Sequence, residues 1–256
     1  MKDLMFPPVP PRYCGVWTRR LLKTPDVHDE LTVVHWMQTP RWHADVRVPP
    51  AARTTDATLD QLALQQGFCG VTSVDRQNGA ETCTWHRRVD FHRPGPDPDI
   101  GHIVFETPDR LIETGIHREY HEVWERLPGS TGRFVALEAT PVAGRAARSF
   151  FLVAGRYAMR VHARTAEWPA GTVPLAELVR SRAEGWQALL DFEISFGRLA
   201  DGRFQVQHST LPQLEGSNQP CSVRRDGKRD AVMSDLTGET RWRVLDWEGG
   251  DPLRLE

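Results

Sequence analysis

Leu31-Thr32-Val33-Val34-His35-Trp36-Met37-Gln38, a break at Thr39-Pro40, and then Trp42-His43-Ala44-Asp45-Val46-Arg47-Val48: on this stretch the reading of the fold turns. Both runs are rich in β-branched and aromatic residues, which suit a pleated surface, and the proline between them cannot donate to a ladder. Together they predict a hairpin, or a strand bent at a bulge. Upstream, Pro7-Pro8-Val9-Pro10-Pro11 is confined to an extended arm leading into a strand at Gly15-Val16-Trp17-Thr18-Arg19-Arg20-Leu21-Leu22. Downstream, a short helix is expected over 56–66, where Thr55 or Asp56 can cap it, Leu59, Leu62 and Leu64 supply apolar positions and Gly67 ends it. Strand signals resume at Gly70-Val71-Thr72-Ser73-Val74 and at 82–91. Between them Asn78-Gly79 tolerates the positive φ of a tight hairpin turn. Pro94-Gly95-Pro96-Asp97-Pro98 reads as a loop, and further strands fall at 103–106, 110–113 and 122–126.

From residue 133 the same order of elements begins again, roughly 120 positions on. Arg133-Phe134-Val135-Ala136-Leu137-Glu138 answers the first strand, and the apolar run 150–162 answers the stretch quoted above. A helix over 174–190 answers the shorter one, the segments 192–197 and 203–208 around Asp201-Gly202 restate the Asn-Gly hairpin, and Thr240-Arg241-Trp242-Arg243-Val244-Leu245 closes the second half as 123–126 closes the first. Identity between the copies is low, so the repeat is one of pattern and order. Many short strands with one helix per unit predict a mainly β protein of two tandem antiparallel barrels, because closure removes unpaired edges. The expected halves are 1–130 and 131–256.

The 256 residues can bury a core without covalent staples. With 32 basic and 34 acidic side chains there is no charge surplus to draw phosphate backbones or anionic lipid, so neither nucleic acid nor membrane is expected as a partner. No run approaches ~18 apolar residues, and the opening Met1 to Pro8 lacks the apolar core of a signal peptide, which points to the cytoplasm. Cys14, Cys69, Cys83 and Cys221 show no short metal-ligand spacing and read as buried free thiols.

Two-domain lipocalin-like barrel proteins, a group that includes a fungal casein-kinase-interacting protein and uncharacterised bacterial relatives, share these features. The chain resembles them through Val34-His35-Trp36-Met37-Gln38-Thr39 with Ala44-Asp45-Val46-Arg47-Val48-Pro49, through His121-Glu122-Val123-Trp124-Glu125-Arg126-Leu127-Pro128, and through Val153-Ala154-Gly155-Arg156-Tyr157. The resemblance implies two lipocalin-like barrels and carries no catalytic pattern.

In a barrel strand alternate side chains enter the lumen, so polar groups spaced by two can converge on a ligand. Arg41, His43, Asp45 and Arg47 have that spacing, and so do His86, Arg88, Asp90 and His92. Either set is a pocket wall or the solvated outer face of a half-buried strand; alternation does not say which. The ligand-binding candidates are Trp36, Gln38, Asp45, Arg47, Trp85, Arg88 and Trp124, the tryptophans as apolar walls and the arginines as anion forks. Asp45 and His86 are the candidate general acid or base. Glu113, Glu119, Glu122 and Glu125 form either an acid reservoir or plain surface. No nucleophile elbow, phosphate loop or dinucleotide turn occurs, no metal site is expected among the ten histidines, and no cofactor is called for, although a single histidine could in principle hold haem. The leading expectation is a protein that binds a small hydrophobic molecule. The alternatives are an enzyme using acid/base chemistry inside the same cavity and a protein-interaction scaffold.

Overall fold

The computed structural model describes residues 6–54, 56–77, 80–140 and 148–250. In the first half eight antiparallel strands follow one another around a ring: β1 (Gly15–Lys23), β3 (Val33–Gln38), β4 (Trp42–Val48), β5 (Gln66–Gln77), β6 (Ala80–Asp90), β7 (Asp99–Thr107), β8 (Arg110–Gly115) and β9 (His121–Arg126), with β2 (His28–Asp29) adding a short rung beside β1. The last strand returns to the first, Trp17 lying opposite Arg126, and the ring closes. The second half repeats the circuit with β10 (Phe134–Ala139), β11 (Ser149–Ala154), β12 (Tyr157–His162), β13 (Glu193–Ala200), β14 (Arg203–Ser209), β15 (Asn218–Pro220), β16 (Ser222–Asp226), β17 (Asp230–Asp235) and β18 (Gly238–Glu248), and β18 pairs back onto β10. One station of this ring is split at Cys221: β15 pairs with β14, and β16 pairs with β17.

The expected fold class, two tandem antiparallel β-barrels, is therefore what the chain adopts. Both copies of one hairpin carry the same irregularity. Between β5 and β6 the register slips after Cys69/Gly70, leaving Arg88 as the extra residue, and between β13 and β14 it slips after Phe196/Gly197, leaving Gln207. At both bulges the facing glycine is required by space. A Cβ on Gly70 would stand 2.1 Å from the His86 carbonyl oxygen, and one on Gly197 would stand 1.9 Å from that of Gln205.

The helices are shorter than the sequence pattern predicts. Instead of spanning 56–66, the first is a single turn, α1 (Leu59–Leu62), capped by Thr58 and not by Asp56. The Thr58 hydroxyl accepts from the Gln61 N–H at 3.3 Å while Gln61 Oε1 accepts from the Thr58 N–H at 2.7 Å, a reciprocal cap that fixes the start. Thr55 and the Asn78-Gly79 turn lie outside the described residues, although the strands beside that turn pair as expected, Gln77 opposite Ala80. The helix expected over 174–190 is two pieces, α2 (Leu175–Arg180) and α3 (Trp186–Leu189), because Gly185 turns the chain at φ +73° between them.

The barrels are joined along a closely packed seam in which β3, β4 and β5 face β11, β12 and β13. Met37, Trp42, Ala44, Val46 and Val48 meet Phe150, Leu152, Tyr157, Met159 and Val161, all but Tyr157 at most 2% exposed. Strand β4 is consequently buried on both faces, its apolar side chains in the seam and His43, Asp45 and Arg47 turned toward the first lumen. Asp246 of β18 crosses the seam: its buried carboxylate accepts from Thr39 Oγ1 at 2.7 Å, from the Arg41 N–H at 2.8 Å and from Arg41 Nη1 at 3.0 Å. His35 stacks on Phe196 of the other barrel, ring centroids 4.1 Å apart. Burial beside His208 depresses its pKa to about 3.

Candidate functional site

Strand alternation brings three indoles into the first lumen, Trp36 from β3, Trp85 from β6 and Trp124 from β9, with Trp36 edge-on to both of the others at 5.4 and 5.9 Å. Above them lies a small cavity of about 10 Å³, the space of one water, walled by these indoles and Phe68 and rimmed by Asp45, Arg47, Asp99 and Glu113.

Most of the charges here are already committed. Arg47 donates from Nε to Asp45 Oδ1 at 2.8 Å and lies 5.5 Å from the centroid of Phe68. Burial works against its charge, but Asp45, Glu122 and Asp99 outweigh it and raise its pKa. Arg19 bridges Glu122 and Asp29, 2.8 Å from each. Arg87 stacks 3.7 Å over Phe68 and pairs with Asp90 and Asp99, both at 2.7 Å. Glu113 differs. It accepts a 2.7 Å hydrogen bond from the Tyr120 hydroxyl, and burial together with the negative charge of Glu122 pushes its pKa well above the carboxylate range. A carboxyl group so placed is shifted toward its neutral form.

One donor in the wall is left over. The indole N–H of Trp124, a residue 1% exposed, has no hydrogen-bond partner among the described residues. By contrast Trp36 Nε1 donates to Gln38 Oε1 at 3.2 Å.

Of the candidates read from the sequence, Trp36, Asp45, Arg47, Trp85 and Trp124 come together around this cavity. Gln38 lies deeper, where its Nε2 donates to the Thr39 carbonyl and its Oε1 accepts from Thr72, whose hydroxyl also meets His43 Nδ1 at 3.0 Å; it is part of the packed floor. His86 and Arg88 do not join the site. On β6 the residues that enter the lumen are Cys83 and Trp85, so His86 lies on the outer wall, 2.9 Å from Ser73 Oγ and stacked on Phe6, and Arg88 is the extra residue of the bulge. Asp45 and His86 therefore share no site. Phe68, Asp99 and Glu113 are lining residues that the sequence reading did not select. Among the described residues no cluster of three or more His, Cys, Asp or Glu side chains is placed to hold a metal ion, and no helix is long and apolar enough to cross a membrane.

The arrangement is that of an aromatic cage with an acidic rim. Such a cage attracts a cation by the quadrupoles of its rings, and the Asp45 carboxylate that would meet its N–H groups is taken by the Arg47 guanidinium.

No family model matches the chain, and no curated protein matches it. Among solved structures it is similar to an uncharacterised protein of Saccharomyces cerevisiae, YLR301w, at 13% identity and a TM-score of 0.56, over 92% of this chain and 99% of that one. At that identity the likeness extends to the fold: the yeast protein has the same barrel architecture.

Proposed function

We propose that the first barrel is a binding site for a small organic molecule with an apolar, preferably aromatic, body and a cationic head, and that the second barrel is its structural partner. The observation that supports this reading is the juxtaposition of Trp36, Trp85 and Trp124 with Asp45, Asp99 and Glu113 around one cavity. It refines the expectation of a hydrophobic ligand: the walls are apolar, but the rim selects for positive charge. The free space holds a single water, so a ligand enters by displacing Arg47, whose guanidinium already occupies the place a ligand cation would take, between Asp45 and Phe68. A desolvated cation over an indole gains about 2 kcal/mol, enough to discriminate charged from neutral heads. The reading calls for no cofactor and no metal, and assigns no reaction, since Asp45 is held by Arg47.

The test is a matched series of 2-phenylethylamine, 2-phenylethanol and 3-phenylpropionate, followed by intrinsic tryptophan fluorescence and thermal shift. The amine is expected to bind best and the carboxylate not at all, and Arg47→Ala is expected to tighten the amine about ten-fold by vacating the cage. Equal response to amine and carboxylate, or no response to the amine in either protein, would overturn the reading.

A further inference from the structure

A larger cavity, about 280 Å³, opens at the edge of the seam. Both halves build it. From the first come Leu59 and Leu62 of α1, Gln65 and Phe91; from the second come Leu190 at the end of α3 and Leu211 in the segment after β14. The cavity opens beside the cluster of buried side chains that joins the two barrels, where Phe91, Leu189 and Phe192 pack together. Pockets at the junction of two domains are a preferred location for small-molecule sites, and this one falls just under the usual size range, which suits a fragment-sized ligand.

Gln65 indicates what that ligand must bring. Its residue is 0% exposed, and its Nε2 donates to two carbonyl oxygens, those of Leu62 at 3.1 Å and Thr210 at 3.0 Å. Two acceptors on one end fix which atom is nitrogen, so the other end is the oxygen. That oxygen, Gln65 Oε1, is buried and has no donor among the described residues. A buried acceptor left unpaired costs about 1–3 kcal/mol, a penalty that a bound donor relieves once a small shift of the Gln65 side chain brings the oxygen to the surface of the cavity it lines. The remaining walls are four leucines, Phe91 and Pro212 beside buried Thr210, with Gln187, Asp191 and Gln213 at the exposed rim.

We propose that this seam cavity is a second small-molecule site, independent of the lumen, which takes a compact apolar ligand carrying one hydroxyl or N–H donor and satisfies that donor at Gln65 Oε1. Such a ligand touches both barrels and so stabilises their association.

The experiment uses the full chain with methyl-labelled leucine and two probes, benzyl alcohol and benzyl methyl ether, titrated to millimolar concentration by NMR. The alcohol is expected to shift the methyl signals of Leu62, Leu190 and Leu211, and the ether to bind about ten-fold more weakly, the value of one hydrogen bond. Leu190→Trp, which fills the cavity, is expected to abolish these shifts. The pair of probes is read on the unmodified protein, so the outcome does not depend on how a variant folds. Equal binding of alcohol and ether, absence of methyl shifts, or shifts confined to the indole N–H signals of Trp36, Trp85 and Trp124 would each overturn the proposal; the last would place the alcohol in the lumen instead.

Discussion

The two barrels use the same device in their interiors and finish it differently. In the second, Arg160 donates from Nε to Glu193 Oε1 and from Nη1 to Gln219 Oε1, both at 2.7 Å, and lies 5.6 Å over Phe204. The first repeats an arginine of the third ring strand, a carboxylate and a phenylalanine in Arg47, Asp45 and Phe68, at 2.8 and 5.5 Å. Around the second arginine the polar groups are matched: Glu193 also accepts from Ser195 Oγ at 2.6 Å, and the rest of the interior is an apolar cluster that includes Phe151, Val206 and Trp242. Around the first stand further carboxyls, Asp99 and Glu113, and a cavity. One fold thus carries a partnered interior beside one that leaves the Trp124 N–H without an acceptor among the described residues, and the proposed binding site rests on that difference.

The sharpest way to break this comparison is to neutralise the carboxyl group in each lumen. Glu193 is 8% exposed and paired with Arg160, so Glu193→Gln leaves a buried guanidinium without its counter-charge and is expected to cost about 3 kcal/mol in urea unfolding. Glu113, equally buried, is pushed toward its neutral form by burial and Glu122, and its Tyr120 hydrogen bond survives in the amide, so Glu113→Gln is expected to change stability at pH 7 by less than about 0.5 kcal/mol. Similar losses in the two variants would show that Glu113 is ionised and that the interiors do not differ as described.

Acid tests the seam between the barrels. The His35 imidazole, stacked on Phe196 and 5.4 Å from His208, has a folded pKa of about 3, well below the value near 6.5 of an unfolded chain. Between those limits the unfolded state binds a proton that the folded state does not. The stability that His35 contributes is therefore complete above about pH 6.5 and is lost as pH falls toward 3, at up to about 1.4 kcal/mol per pH unit. His35→Phe keeps a ring against Phe196 and removes the titration, so its urea midpoint is expected to fall less steeply between pH 6.5 and 4.5 than that of the unaltered protein. Parallel slopes would mean that His35 takes up its proton while still folded.

The barrel pattern was open to reading because period-two alternation, tryptophan-rich strands and repeated turn residues are local signals. They located Trp36, Asp45, Arg47, Trp85 and Trp124 correctly on strands that share a lumen. What hid the rest is equally physical. Trp85 and His86 are neighbours on β6 and so face opposite sides, which alternation could not assign to lumen or exterior, and Arg88 occupies a bulge, where one extra residue resets the alternation. Gly70 opposite that bulge was the available clue, being a glycine inside a strand. Asp99 follows a proline-rich loop and lies before the residues that read as strand, whereas β7 begins with it. Glu113 was one of four glutamates with no pattern to separate it; the register of the β8–β9 hairpin sets it opposite Glu122 and against Tyr120. The seam was the largest omission. A strand buried on both faces, as β4 is, looks from sequence like a half-buried strand with a polar side.

The smallest expected effect bears most directly on which barrel is unfinished. Trp124 and Trp242 close the two rings from corresponding strands, and both are buried. Two residues before Trp242 stands Thr240, and its hydroxyl takes the indole N–H at 2.8 Å. The same position before Trp124 is Glu122, which is turned to Arg19, and the indole N–H is left without an acceptor. Replacing either indole by phenylalanine removes similar apolar surface, so the difference between the variants isolates the N–H. Trp242→Phe loses a made hydrogen bond, worth about 1 kcal/mol, whereas Trp124→Phe removes a donor whose burial was uncompensated, which offsets much of the lost packing. The first variant is therefore expected to be less stable than the second by about 1–2 kcal/mol in urea unfolding without ligand. With a ligand that accepts the Trp124 N–H in the lumen the order narrows, because only Trp124→Phe then forfeits a bond that binding had completed. An equal loss in both variants without ligand would place an acceptor on Trp124 within the folded chain, and would remove the asymmetry that assigns binding to the first barrel.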